Sequence, residues 1–265
     1  MKTVVAFSGG IDSTYNLWKL LTTTDDDIIA AYFDDAYQVI NYGVGYAMNS
    51  TSIYQLQAAR MLVDLLRAKY PDRPFEFVVN NIYEYAPDEV KSVRIIRHYA
   101  ARVNSGEIDR IVFGNGWRPW DEAKVAANDT PNLLVIPQIC VAADRAFSLV
   151  CTRGAVEFPY AENKTGTGNA ILELPADILS RTVSCTSPKV DASTGRILNC
   201  GVCNKCQEAT LITQQLAAGK TADETTIARD RSFVVKFRLK FLDTGGIWAH
   251  VTADEDIPAF YGAAL

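Results

Sequence analysis

This sequence has few histidines, few cysteines, no long apolar stretch and no excess of positive charge, and each shortage argues against a class of function. Histidine occurs only twice in 265 residues, so a catalytic triad built on histidine has little support. No apolar stretch approaches the roughly 18 consecutive residues needed to cross a bilayer. The formal net charge of -5 argues against a protein that captures nucleic acid by charge alone. Six cysteines are too few for a disulfide scaffold in a chain of this length.

The composition is that of an ordinary folded protein. Hydrophobic residues make up 48% of the chain and charged residues 22%, close to the average for globular domains. Residues 1–8 carry one lysine and a short apolar run, and a glycine pair follows, so no secretory signal is expected. We therefore expect a soluble cytoplasmic protein without a membrane partner. Under reducing conditions, its clustered cysteines are better explained as metal ligands or catalytic groups than as disulfides.

Strand-like apolar runs alternate with amphipathic helical stretches in the first part of the chain. This alternation predicts an α/β fold with a doubly wound, mostly parallel sheet. Ligands of such sheets bind at the carboxyl ends of the strands, which places residues 8–13, 34–35 and 114–117 on one rim. The predicted strands are 4–7, 28–33, 75–79, 110–113 and 133–136, and the predicted helices are 15–21, 52–69 and 88–103.

The composition changes after Phe158. We divide the chain into a nucleotide-binding domain (1–158), a segment with a mobile loop, four cysteines and a helix (159–220), and a C-terminal extension (221–265). Residues 163–169 are rich in glycine and threonine and predict the mobile loop, while 176–180 and 203–217 predict helices. Residues 233–241 alternate apolar and basic side chains, which is more typical of a charged strand edge than of a nucleic-acid site.

The first motif is Ser8-Gly9-Gly10-Ile11-Asp12-Ser13, between the first predicted strand and helix. Glycines allow a tight turn, and the freed N–H groups at a helix start form an anion site. Asp12 would repel a bare phosphate and therefore suggests a bridging Mg²⁺. The motif lacks the lysine of a Walker A loop. The alternative is a plain glycine turn in which Asp12 or Ser13 caps the helix.

The second motif joins Cys185 to Cys200-Gly201-Val202-Cys203-Asn204-Lys205-Cys206. Four thiolates at such spacing can close a tetrahedral site, for which zinc is the expected metal. Lys205 and the start of the following helix would help to keep the thiolates ionised. An iron–sulfur cluster and a set of unrelated buried cysteines remain as alternatives. The other two cysteines lie in apolar stretches and are expected to be core thiols.

The first motif resembles the PP-loop of N-type ATP pyrophosphatases, which have an adenine nucleotide alpha hydrolase-like fold. The two motifs together resemble the 7-cyano-7-deazaguanine synthase family over about residues 1–218. The resemblance implies a loop that grips the β,γ-pyrophosphate of ATP. It also implies adenylation of a 7-carboxy-7-deazaguanine-like acid, amide formation with ammonia, and a second activation that gives the nitrile preQ0, with release of AMP and pyrophosphate.

The resemblance also assigns candidate residues and cofactors. Catalytic roles fall to Asp12 and to Lys164, which is similar in position to a family lysine that faces the phosphates and could stabilise charge at the α-phosphate. The implied cofactors are ATP, Mg²⁺ and Zn²⁺, with zinc on the four cysteines. The residues expected to bind ATP are Ser8, Gly9, Gly10, Ile11, Asp12, Ser13, Thr14, Phe33 and Asp34.

The sequence departs from the family pattern where the base should bind. The stretch 33–38 is one residue longer than the family motif, and residues 114–122 replace the family loop that helps to hold the base. Trp117 and Trp120 can still stack on a planar base, and Asn115 and Asp121 lie on the same predicted rim. These four residues are the candidates for binding the substrate. The sequence supports the use of ATP better than it supports the identity of the acid substrate.

Two further functions stay open from the sequence. The same loop occurs in tRNA sulfurtransferases and lysidine-type ligases, although the acidic balance and the lack of an obvious RNA-binding domain count against a nucleic-acid partner. The chain is also compatible with a PP-loop subunit of a larger system that acts on a protein partner. The leading hypothesis takes a small carboxylate and ammonia as partners, and a homodimer is compatible with it.

Overall fold

The alternating strands and helices form a parallel sheet that is covered on both faces. The computed structural model describes residues 1–34, 51–81, 91–114, 146–159, 166–185 and 188–224. The sheet contains β1 (Lys2–Ala6), β2 (Asp27–Asp34), β3 (Glu76–Asn81), β4 (Arg110–Phe113) and β5 (Ala155–Glu157). The helices are α1 (Ile11–Thr23), α2 (Thr51–Lys69), α3 (Lys91–Asn104), α4 (Gly166–Glu173), α5 (Ala176–Leu179) and α6 (Asn204–Ala217), and residues 146–150 are also helical.

The strand order is β3-β2-β1-β4-β5, and all four pairings are parallel. Val4 of β1, for example, pairs with Ile29 of β2 on one side and with Ile111 of β4 on the other. The chain winds outward from β1 to β3 and then crosses back to β4, so the topological switch point lies between β1 and β4. In open parallel sheets, this crevice is where ligands bind.

Successive residues of the central strands supply two separate cores. Val5 and Ala30 are fully buried in the core that includes α1 and α2, whereas Val4 and Ile29 are buried in the core that includes α3. This period of two is expected for strands that are buried on both faces. The prediction of a doubly wound α/β domain with a parallel sheet is therefore confirmed for the described residues.

Strand pairing sets the ends of the strands more than hydrophobicity does. β3 extends beyond the predicted apolar run through Asn80 and Asn81, because these two residues pair with Phe33 and Asp34 of β2. β5 was missed because it is short and half-exposed at the edge of the sheet. The predicted strands 133–136 and 233–241 lie outside the described residues.

The prediction of a mobile loop over 163–169 is wrong for residues 166–169. These residues open α4, while residues 160–165 lie outside the described part of the chain. Helix α4 is stabilised by packing, since Ala170 is fully buried in the α1–α2 core. Gly168 allows the close approach of the short 3-10 helix Ala222–Glu224, because a Cβ at 168 would lie 3.0 Å from the Cβ of Ala222. Tertiary contacts here override the weak helix propensity of glycine and threonine.

A short hairpin, in which each strand has two residues, precedes the helix that carries Cys206. Strands β6 (Lys189–Val190) and β7 (Ile197–Leu198) pair antiparallel, and α6 follows at Asn204. The predicted helices 176–180 and 203–217 correspond to α5 and α6. Within the described ranges, none of the helices combines the length and the apolar character needed to cross a membrane.

A charged network ties the amino end of the sheet together. Arg110 of β4 donates from Nη2 to the Asp26 carboxylate at 2.6 Å and from Nε to the Thr3 hydroxyl at 2.9 Å. Thr3 in turn donates to Asp26 at 2.6 Å. Burial by itself would raise the pKa of Asp26, but the hydrogen bonds from Thr3 and Arg110 outweigh it and hold the pKa below its usual value of 3.8. Asp26 therefore stabilises the fold as a carboxylate.

We expect Asp26→Asn to lower the free energy of unfolding at pH 7 by about 2 kcal/mol, because Arg110 loses a buried partner. The folded pKa is depressed, so the contribution of Asp26 is present above pH 4 or so and is lost as the pH falls through the folded pKa. Urea unfolding at pH 7 and pH 3 measures both effects. The control is Asp25→Asn, an exposed carboxylate 3.4 Å from Arg73, with an expected change within about 0.5 kcal/mol. This role would be contradicted if both variants lost the same free energy of unfolding at pH 7. It would also be contradicted if the difference in stability between the wild type and Asp26→Asn were as large at pH 3 as at pH 7.

Candidate functional site

The glycine loop lies at the switch point, between β1 and α1. Gly9 has φ = +76°, a region that side chains other than glycine rarely adopt. A Cβ at Gly9 would also lie 3.1 Å from the backbone of Ala59 in α2. The loop is therefore packed directly against α2, which explains the need for glycine at this position.

Hydroxyl groups cluster inside the loop. The Ser8 N–H donates to Ser13 Oγ at 3.1 Å, and the two serine hydroxyls lie 3.0 Å apart. Ser13 Oγ also donates to the Gly10 carbonyl at 3.2 Å. These bonds fix the turn and place both hydroxyls beside the start of α1. A turn of this kind presents donors to an anion at a helix N-terminus.

A cavity of about 390 Å³ opens over the loop at the carboxyl ends of β1, β2 and β4. One part of its wall is polar and includes the glycine loop, and another part is apolar and includes Phe33, Ile95 and Phe113. Such a division suits a ligand with a charged end and a planar apolar end. The residues that line the cavity are Ala6, Phe7, Ser8, Gly10, Asp12, Ser13, Tyr32, Phe33, Gln55, Ser92, Ile95, Phe113, Gly114, Val183, Ser184 and Lys205.

Asp12 is oriented by the helix that replaces the expected loop. Thr167, in the first turn of α4, is buried and donates from Oγ1 to Asp12 Oδ1 at 2.9 Å. This bond holds the carboxylate at the wall of the cavity. Carboxylate oxygens are the kind of ligand that hard divalent cations such as Mg²⁺ prefer.

The segment just before the cysteine cluster lies on the glycine loop. The Val183 N–H donates to the Gly9 carbonyl at 2.8 Å, and the Ile11 N–H donates to Ser184 Oγ at 2.9 Å. Gly10 leaves room for this approach, since a Cβ there would lie 3.0 Å from Ser184 Oγ. Ser184 and Cys185 are adjacent, so the two motifs of the sequence form one continuous structure.

The four cysteines of the second motif come together. The Sγ atoms of Cys185, Cys200, Cys203 and Cys206 all lie within 4.8 Å of one another. Three of the separations are 3.7 Å (185–203), 3.9 Å (200–206) and 3.5 Å (203–206). In a tetrahedral site with Zn–S bonds of about 2.3 Å, the sulfurs lie about 3.8 Å apart. The cluster therefore fits a tetrahedral thiolate site and can hold a metal ion such as zinc.

Backbone N–H groups point at the sulfur atoms. The N–H groups of Val202 and Cys203 donate to Cys200 Sγ at 3.4 and 3.3 Å and lower the pKa of the Cys200 thiol. Gly201 makes this turn possible with φ = +78°. Burial instead raises the pKa of Cys206 to about 12. A buried thiol of this kind becomes a thiolate when a cation compensates its charge, which favours a closed metal site.

The structure brings most, but not all, of the predicted ATP-binding residues to the cavity. Ser8, Gly10, Asp12, Ser13 and Phe33 line it. Gly9 and Ile11 take part through their backbone bonds to Val183 and Ser184. The Thr14 side chain is fully buried away from the cavity wall, and Asp34 ends β2 without lining the cavity. The predicted residues Asn115, Trp117, Trp120, Asp121 and Lys164 lie outside the described residues.

Sequence reasoning missed four polar residues of the cavity wall. Gln55 lies on α2, Ser92 on α3, Ser184 before the first cysteine ligand and Lys205 between two others. No local pattern marks Gln55 or Ser92, because each is one polar residue on an amphipathic helix. For Ser184, the sequence offers one indication, which is its position directly before Cys185 of the second motif.

No protein-family model matches this chain, and no curated protein matches it.

We expect protein supplied with zinc to hold about one zinc ion per chain. Elemental analysis measures this, and cobalt substitution should give the absorption of a tetrahedral thiolate site. Cys206→Ser should lose most of the metal, whereas Cys151→Ser, which changes a buried thiol outside the cluster, should keep it. Iron with inorganic sulfide in the purified protein would contradict zinc and indicate an iron–sulfur cluster.

Proposed function

We propose that this chain is an ATP-dependent ligase that activates a carboxylate as its adenylate and transfers ammonia to it. The observation that carries this proposal is the glycine loop at the switch point, which presents the hydroxyls of Ser8 and Ser13 and the carboxylate of Asp12 to one cavity. The carboxylate substrate is proposed to be 7-carboxy-7-deazaguanine or a similar acid, as the resemblance implies.

The cavity supports a nucleotide as the ligand. Its polar wall offers N–H and O–H donors beside a helix start, which suits phosphate groups. Its apolar wall offers Phe33 and Phe113, and aromatic faces suit a purine ring. Ser92 adds a further argument, because its hydroxyl is buried and has no hydrogen-bond partner among the described residues. A buried hydroxyl that lines a cavity without a protein partner is suited to bond a ligand.

The proposed reaction has three steps, which are adenylation of the acid, formation of the amide and formation of the nitrile. A carboxylate oxygen attacks the α-phosphorus of ATP, which forms the acyl adenylate and releases pyrophosphate. Ammonia then attacks the acyl carbon, and the amide forms with loss of AMP and a proton. In the nitrile step, the amide oxygen attacks the α-phosphorus of a second ATP, which releases pyrophosphate and one proton from the amide nitrogen. Loss of AMP and of the remaining N–H proton then leaves the carbon–nitrogen triple bond.

The residues of the chain have separate parts in this scheme. The loop donors would hold the pyrophosphate end of ATP, and Asp12 would hold Mg²⁺, which neutralises charge on the phosphates. Thr167 keeps the Asp12 carboxylate at the cavity. The four cysteines would hold zinc in a structural role, since all four positions of a tetrahedron are filled by thiolates.

A pyrophosphate-release assay tests the function. Purified protein with zinc, Mg²⁺ and ATP is expected to release pyrophosphate when 7-carboxy-7-deazaguanine and ammonia are both supplied, with the amide or the nitrile detected by mass spectrometry. Pyrophosphate release with a different acid would support the ligase activity and would assign that acid as the substrate instead. ATP binding without turnover on any small acid would overturn the ligase and favour the subunit that acts on a protein partner. Release that requires tRNA would favour the RNA-modifying alternative.

A further inference from the structure

The segment that carries the cysteines also forms part of the cavity wall. Ser184 stands immediately before Cys185, and Lys205 stands between Cys203 and Cys206. Both Ser184 and Lys205 line the cavity above the glycine loop. A segment that served only to bind a metal would not need to reach a cavity formed by β1, β2 and β4.

We propose that Lys205 is the cation that binds the phosphate end of the ligand, and that the metal bound by the flanking cysteines holds it there. This inference rests on the proposed function for the identity of the ligand, a nucleoside triphosphate. It assigns to Lys205 a ligand contact that is separate from its expected effect on the thiolates.

The charges of the cavity wall support this role. Among the described residues that line the cavity, the charged side chains are Asp12 and Lys205. A polyphosphate placed on the glycine loop would lie close to the Asp12 carboxylate and would need positive charge to compensate the repulsion. The loop itself has no lysine of the Walker A type. Lys205 supplies that charge from a segment almost at the other end of the described chain.

The position of the Lys205 backbone is set by the cysteine cluster, and its side chain is long and partly exposed. The neighbouring Sγ atoms of Cys203 and Cys206 lie 3.5 Å apart, so a metal bound to both fixes the backbone on each side of Lys205. The Lys205 Nζ lies 3.9 Å from Glu208 Oε2, and its side chain is 38% exposed. A long and partly exposed ammonium on a fixed backbone is able to reach a phosphate.

The same segment positions a second polar group. Ser184 Oγ accepts the Ile11 N–H at 2.9 Å, and a hydroxyl can still donate its own proton. Ser184 and Lys205 therefore lie on the same cavity wall as the loop, one held by a backbone bond and the other by its cysteine neighbours. Metal binding and phosphate binding are coupled through this wall.

Calorimetric titration of the zinc-loaded protein with inorganic pyrophosphate, ATP and adenosine tests the proposal. Lys205→Met removes the charge but keeps a long side chain. It is expected to weaken the binding of ATP and of pyrophosphate about 10- to 100-fold, which is the range for a charge-assisted hydrogen bond. Adenosine should bind as it does to the wild type, within about twofold, because it lacks the phosphates. Lys205→Arg should restore most of the affinity, since it keeps the positive charge.

The control variant is Lys189→Met, which removes an exposed lysine of the same segment that does not line the cavity. Its affinities should equal those of the wild type. Unchanged pyrophosphate binding in Lys205→Met, or an equal loss for adenosine, would overturn the proposal. The zinc content of each variant is measured as well. A loss of pyrophosphate binding that disappears once Lys205→Met is restored to full zinc occupancy would also overturn the proposal, because Lys205 would then act only through the cysteine site.

ATP turnover and the phosphate contact of Lys205 are separate properties of the protein, and the measurements distinguish them. A wild type that binds pyrophosphate but not ATP would remove the proposed function and leave the role of Lys205 intact if Lys205→Met still loses pyrophosphate. A wild type that turns over ATP while Lys205→Met binds it unchanged would keep the function and remove this inference.

Discussion

Asp12→Asn is expected to lower kcat/KM for ATP-dependent pyrophosphate release by about 100-fold or more, while the fold is retained. The amide keeps the shape of the carboxylate and an oxygen that can accept the Thr167 bond, which is 2.9 Å long. It loses the negative charge that a hard divalent cation prefers. A cation held less tightly stabilises the charge on the reacting phosphates less well, and one such electrostatic contact is worth about 100- to 1,000-fold in rate.

The matched control for this prediction is Asp64→Asn, which changes an exposed carboxylate on α2. Its rate should equal that of the wild type. A rate within about threefold of the wild type for Asp12→Asn would mean that Asp12 serves only as a favourable charge in the first turn of α1. Raising the Mg²⁺ concentration offers a second measure, because a weakened metal site should need more Mg²⁺ for half-maximal rate.

Removal of the metal is expected to have the largest effect on stability and also to weaken ATP binding by about tenfold or more. Structural zinc contributes about 10–16 kcal/mol of apparent binding free energy in small zinc domains, and part of that is folding free energy. In this chain, the cluster packs with Ala58 of α2 and with Val183, next to the glycine loop. Loss of the metal should therefore loosen residues 182–185 and 188–206 and the wall of the cavity.

Hydrogen exchange of single amides measures this loosening directly. The Val183 N–H is bonded to the Gly9 carbonyl and the Ile11 N–H to Ser184 Oγ, so both amides should lose protection when a chelator removes the metal. Amides in the centre of β1, such as that of Val5, lie in the sheet and should stay protected. Chelated protein that keeps protection at Val183 and binds ATP like the zinc-loaded protein would contradict the coupling between the two motifs.

The sheet was predictable because its signal is local. Four of its strands were expected close to their observed positions, since buried strands leave short apolar runs that turns interrupt. Their ends were not predictable, because Asn80 and Asn81 belong to β3 only through pairing with β2. The loop expected over 163–169 shows the same limit. Gly166 and Gly168 favour a loop in isolation, and burial of Ala170 against the core makes the segment helical.

By itself, the sequence determined the doubly wound class, the tight glycine turn at the end of β1 and the close set of four cysteines. Each of these follows from hydrophobic periodicity, from backbone sterics or from ligand spacing, which act over a few residues. Only the tertiary structure decided that Ser184 bonds to Ile11, 173 residues away, and that Thr167 holds Asp12. It also decided that Lys205 faces the cavity. Contacts of this kind depend on how whole elements pack, and no local pattern encodes them.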